Sequence, residues 1–170
     1  QELFPRTILA IRDVAHAARI ACQKPLHNDS LLGHVWDEPF SKRHALAPEI
    51  MNSEKWKSML QTMQARSLEI SGHDAPLKKV LRHLSFAKQR FESVVDPAAK
   101  LALMILPVIA MLACVATDGC NNGEQQKRAM ELLRCFTSQL AVGLGVSADY
   151  GWVCNQFVRL FDALDHGIAR

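Results

Sequence analysis

The sequence predicts an all-α fold: a single-domain bundle of about six helices around a central apolar helix at roughly 101–117. Three observations carry this reading. Apolar residues recur at spacings of three and four in several segments, the period of a helix face turned toward a core. No run of four or more residues alternates apolar and polar, as a half-buried strand would. The stretch 101–117, LALMILPVIAMLACVAT, contains no charge, so a helix formed from it is apolar all round and is expected to be buried on every side.

Each element has its own local signal. The first helix spans about 4–24, with Pro5 in its first turn and an inward stripe of Ile8, Ile11, Ala15, Ala18 and Cys22. Pro25, Asn28, Asp29, Ser30, Gly33, Pro39 and Pro48 then punctuate the chain, which predicts a long loop over 25–47. A second helix, about 53–71, takes its cap from Asn52 or Ser53, faces inward with Trp56, Met59, Leu60 and Met63, and stops at Gly72. A third starts at Asp74 and Pro76 and carries Leu77, Val80, Leu81, Leu84, Ala87, Phe91 and Val94 on one side.

The apolar helix follows, begun by Asp96 and Pro97 and expected to kink at Pro107, whose ring clashes with the carbonyl four residues back. A loop at 118–123 leads to a fifth helix at about 124–143, with Met130, Leu133, Phe136 and Leu140 inward and Gly143 and Gly145 ending it. Ser147 is read as the cap of a sixth helix, with Val153, Phe157, Leu160, Phe161 and Leu164 inward and a stop at Gly167.

Composition narrows the function classes. With 49% hydrophobic and 22% charged residues the chain is not disordered. The net charge of +3 is too small for a dedicated nucleic-acid tail, but it is unevenly placed. Residues 51–95 hold eight Lys+Arg against four Asp+Glu, net +4, and the remainder is net −1. Within 78–90 lie Lys78, Lys79, Arg82, Lys88 and Arg90, a candidate face for phosphates of nucleic acid or an acidic membrane surface. Aromatic side chains do not interleave them, so no stacking platform is indicated.

Five cysteines are too few for a disulfide scaffold, which suggests reduced thiols and an intracellular setting, cytoplasmic or nuclear. The start at Gln1 suggests a piece of a longer protein. The uncharged run is at the short limit of a membrane span and reads as a core helix, so an integral membrane protein is not expected.

Catalytic and cofactor signatures are weak. Asp13 and His16 share a helix face, but the further acid-x-x-His elements of a di-metal bundle are missing, so no metal or cofactor is expected. Gly143–Ala148 formally fits G-x-G-x-x-A, but no strand precedes it. No G-x-S-x-G, P-loop or H-E-x-x-H occurs. Four aromatics read as exposed anchors: Trp36 and Phe40 in the predicted loop, and Tyr150 and Trp152 near a helix start. The leading expectation is a non-enzymatic interaction, regulatory or assembly module with a protein partner or a second copy of itself. The alternatives are a matrix-type or adaptor protein using the 78–90 basic helix, and a small-molecule sensor or enzyme with a pocket lined by Met104 and Met111 beside the kink.

Overall fold

The computed structural model describes residues 14–42, 44–72, 80, 84, 92–119 and 122–168. Among the described residues the regular structure is helical and contains no strand, so the all-α class holds.

Helix α1, Val14–Asn28, runs through Pro25. It is followed at once by α2, Ser30–Trp36, and by a π-helical turn, Asp37–Ser41. The expected loop at 25–47 is therefore mostly helical. The polar punctuation is helix capping: Asp29 Oδ1 accepts from the backbone N–H of Leu32 at 2.9 Å, which starts α2 one residue after α1 ends. Burial of Leu26, Val35, Trp36 and Phe40 in the core outweighs the single backbone bond that Pro25 removes.

Helix α3, Leu46–Asn52, leads into α4, Glu54–Ser71. Ser53 Oγ accepts from Trp56 N at 3.3 Å, and Gly72 ends α4 with φ at +52°, as the sequence predicts. Trp56 and Leu60 are buried, with Met59 and Met63 packed beside them. Of the predicted third helix, Val80, Leu84 and residues 92–95 lie within the described residues; Leu84 is in the core, and 92–95, expected to end this helix, instead begin the next one.

The apolar run is two helices. Helix α5, Glu92–Leu103, passes through Pro97 rather than starting there, because Val95, Ala98 and Leu101 form one buried face across it. Helix α6, Ile105–Thr117, meets it at Met104 with a bend of 75°. The break falls at the residue whose carbonyl the Pro107 ring would strike, Leu103, and the one after it. Expectation and structure agree on the cause but not on the degree: the proline divides the segment. No single helix among the described residues is long and apolar enough to cross a membrane, although this bent pair passes by length and composition. Leu101, Met104, Val108, Met111, Leu112 and Val115 are fully buried. The expected burial on every side fails at Leu106, which is 72% exposed, and at Leu103 beside it.

Helix α7, Gly123–Cys135, is capped by Asn122, whose Oδ1 accepts from Gln125 N at 2.8 Å. Its inner face is Ala129 and Leu132, so the expected inward Met130 is instead exposed, one residue out of register. Helix α8, Ser138–Ile168, is continuous. Thr137 Oγ1 accepts from Leu140 N at 3.2 Å and starts it. Gly143 and Gly145, expected to end a helix, lie inside it. Ser147, expected to cap one, is buried in mid-helix, its hydroxyl without a hydrogen-bond partner among the described residues.

Close approach of neighbouring helices explains two glycines. A Cβ on Gly143 would stand 2.4 Å from Val35 Cγ2 of α2, and one on Gly151 would stand 2.4 Å from Val95 Cγ2 of α5. Helix α8 packs against α1, α2 and α5, while α6 packs against α4 and α7. One buried cluster joins both groups, from Cys22 and Leu26 through Met104 and Met111 to Leu144 and Cys154.

Candidate functional site

Two features of the described surface invite a functional reading, a cavity edged by charged side chains and an apolar seam. The cavity, about 320 Å³, is lined by Glu38, Lys42, His44, Arg128, Glu131, Leu132 and Cys135. The π-helical turn presents Glu38, and α7 presents Arg128, Glu131 and Cys135. Its cations are already engaged. Lys42 pairs with Glu38, and Glu49 Oε1 takes both His44 Nδ1 at 3.0 Å and Arg128 at 3.1 Å. Such a self-neutralised ring lacks the surplus positive charge of an anion trap.

Its one thiol is also subdued. Burial and the Glu38 carboxylate, whose Oε2 lies 3.6 Å from Cys135 Sγ, push the Cys135 thiol up, and Lys42 only partly offsets them. The reactive species is the thiolate, so this is a poor nucleophile. Burial likewise pushes the Glu38 carboxyl up, but Lys42, the Cys135 thiol and His34 outweigh it and hold it below the ordinary carboxylate range. The described residues contain no group of three or more His, Cys, Asp or Glu side chains placed to hold a metal ion.

The seam lies on α8. Val142, Val146, Trp152, Val153, Phe157 and Leu160 are each between 46% and 64% exposed. At about 100° per residue, all but Trp152 fall within roughly 60° of arc, on the side of α8 away from Leu140, Leu144 and Val158. From Val142 to Leu160 the seam is about 27 Å long at 1.5 Å per residue. Trp152 flanks it. Three of these residues, Val153, Phe157 and Leu160, were expected inward. The buried positions are instead Gly151, Cys154 and Val158, because the small residues let α8 lie close against α2 and α5.

The sequence-predicted aromatics separate. Trp36 and Phe40 are buried, at 6% and 1% exposure, so the expectation that they stand exposed is corrected: the helical turns of 30–41 point them into the core. Tyr150 is half-buried, with its hydroxyl against the Cys154 thiol. Trp152 alone of the four is exposed, at 62%. The basic set Lys78, Lys79, Arg82, Lys88 and Arg90 lies outside the described residues. Met104 and Met111, expected to line a pocket beside the kink, are both fully buried in the core. The chain matches no family model, no curated protein and no solved structure.

Proposed function

We propose that the chain is a non-enzymatic helical assembly module that docks through the outer face of α8, and that its partner is a second copy of the same chain. The observation that carries this reading is the exposed apolar seam from Val142 to Leu160 on a helix whose opposite side is fully engaged in the core. Six apolar side chains about half open to water amount to on the order of 500 Å², the upper range of what a monomer leaves in one patch.

Self-association is favoured over an unrelated partner by the distribution of size along the seam. Its N-terminal half is small, with Val142 and Val146, and its C-terminal half carries Val153 and the larger Phe157 and Leu160, flanked by Trp152. Two copies related by a two-fold axis at the level of Gly151 would run antiparallel and place Leu160 opposite Val142 and Phe157 beside Val146. A two-fold contact uses the same patch on both copies, so large against small is the arrangement it needs. The area is below the roughly 800 Å² per side of a standard interface, so the dimer dissociates on dilution.

Sedimentation equilibrium of the whole chain over a wide concentration range tests this. The expected result is a monomer–dimer equilibrium that Val153→Asp and Leu160→Asp each abolish with the helical circular dichroism unchanged. A monomer at every concentration refutes self-association. A dimer unaffected by both substitutions places the contact elsewhere.

A further inference from the structure

The contact between α1 and α8 brings two buried thiols together. Cys22 on α1 is 7% exposed and Cys154 on α8 is 5% exposed, and both are free. They belong to the same core cluster, although they lie near opposite ends of the chain. The two helices approach with Cα atoms within 8 Å of one another. On α1 the buried side chain one turn before Cys22 is Ala18, which adds no bulk to hold the helices apart.

The two thiols are near enough to act on one another. The Cys154 thiol is a neighbour of both the Cys22 thiol and the Tyr150 hydroxyl. Burial first, and then this contact, push Cys22 up to about 11 and Tyr150 up to about 12. Two facing sulfurs are not needed for packing alone, since any small apolar side chain fills such a space. They do supply both halves of a disulfide, which requires Cα atoms roughly 4.4–6.8 Å apart. The two helices are packed against one another, so the bond would join elements already in contact.

We propose that Cys22 and Cys154 are a redox pair that locks α1 to α8 covalently under oxidising conditions. The oxidant is a small-molecule disulfide of the glutathione class. One protein thiolate attacks it, forming a mixed disulfide and releasing one small thiol. The second protein sulfur then attacks the protein sulfur of that mixed disulfide and releases the other small thiol. One S–S bond breaks and one forms. The two protein thiols lose two electrons and two protons, and both end on the two small thiols. Because burial keeps the thiolate scarce near neutrality, the exchange is slow and quickens as pH rises. Once closed, the bond is shielded from solvent by the same burial.

The test uses the whole chain with Cys114→Ser, Cys120→Ser and Cys135→Ser, incubated with glutathione disulfide at mildly alkaline pH. The expected product is a monomer lighter by two hydrogen atoms, with no thiol alkylated after denaturation. Its urea midpoint should be higher than that of the reduced chain, and the rise should vanish with reductant. Adding Cys22→Ser or Cys154→Ser should leave one alkylatable thiol and no rise in midpoint. If the triple substitution fails to fold, peptide mapping of the oxidised native chain for a Cys22–Cys154 cross-link gives the same answer. Two thiols that remain alkylatable, two separate glutathione adducts, or a cross-link between other cysteines would each overturn the proposal.

Discussion

Three glycines of α8 make a controlled experiment on what holds this helix in place. The same substitution, Gly→Ala, should stabilise at position 145 and destabilise at positions 143 and 151. Each change gains helix propensity, worth about 0.5–1 kcal/mol in a helix interior. At Gly145 nothing lies within 4 Å of the added Cβ, so that gain stands alone. At Gly143 the Cβ would lie 2.4 Å from Val35 Cγ2, well inside contact distance. Val35 is buried and β-branched, and in a helix such a side chain has essentially one rotamer, so it has nowhere to turn. Overpacking of this kind costs about 1–3 kcal/mol, which leaves Gly143→Ala a net loss of about 1 kcal/mol. At Gly151 three atoms of Val95 are met, at 2.4, 3.2 and 3.3 Å, the Cβ among them. The backbone of α5 or α8 must then shift, and the net loss should be larger, about 2 kcal/mol.

Between Gly145→Ala and Gly151→Ala the difference is about 2.5–3 kcal/mol, roughly a 60- to 150-fold change in the folding constant. Urea unfolding followed by circular dichroism resolves it, provided the slope with denaturant is unchanged and the chain is dilute enough to be monomeric. A double-mutant cycle adds the identity of the contact. Val35→Ala should relieve Gly143→Ala with a coupling of at least about 0.5 kcal/mol, because the two groups compete for one space. If Gly143→Ala and Gly151→Ala are as stable as Gly145→Ala, the close approach of α8 to α2 and α5 is wrong, and with it the assignment of the outer seam.

Other expected outcomes follow from single groups. Ser147→Ala should raise stability by about 1 kcal/mol, read as a higher urea midpoint, since it removes a buried hydroxyl with no partner and adds helix propensity. Asn122→Ala should cost about 1 kcal/mol by freeing the Gln125 N–H that Asn122 caps. Glu38 has a folded pKa below its unfolded value, so its stabilisation is present above the ordinary carboxylate range and is lost as pH falls through it. Glu38→Gln should therefore lower stability at neutral pH, by about 0.5–1 kcal/mol for a pair this open, and should flatten the acid limb of a pH titration of the urea midpoint. The same change removes the carboxylate that, after burial, raises the Cys135 thiol, so Cys135 should be alkylated faster by iodoacetamide, as peptide mass spectrometry can follow.

How much of this was legible depended on whether the local signal was unique. Ser53 and Gly72 bracket α4 as read, because a cap and a positive-φ glycine have few other uses. Pro107 located the break in the apolar run, but not the 75° bend, which depends on where α4, α7 and α8 leave room. The 25–47 region was misread because Pro, Asn and Asp serve both loops and caps. Only the tertiary burial of Val35, Trp36 and Phe40 shows which use applies. The cavity was not legible at all: Glu49 and Arg128 meet across a separation that no sequence window spans.

Helix α8 shows why its faces were inverted, and how the sequence contained the correction. Two apolar arcs share the helical period: Leu140, Leu144 and Val158 on one side, and Val142, Val146, Val153, Phe157 and Leu160 on the other. Hydrophobicity favours the second, since it holds five apolar side chains against three. Yet Gly143, Ser147 and Gly151 recur every four residues beside the first arc. A stripe of small residues on a helix lets a neighbouring backbone come close, and the 2.4 Å approaches of Val35 and Val95 fall on Gly143 and Gly151. Close packing against two helices also offsets the propensity lost to glycine, about 1 kcal/mol at each position. A helix seated on the side of its small residues leaves its other apolar arc outward. The seam therefore follows from the same packing that seats α8, and a change that lifts α8 from Val35 or Val95 should weaken docking without touching a seam residue.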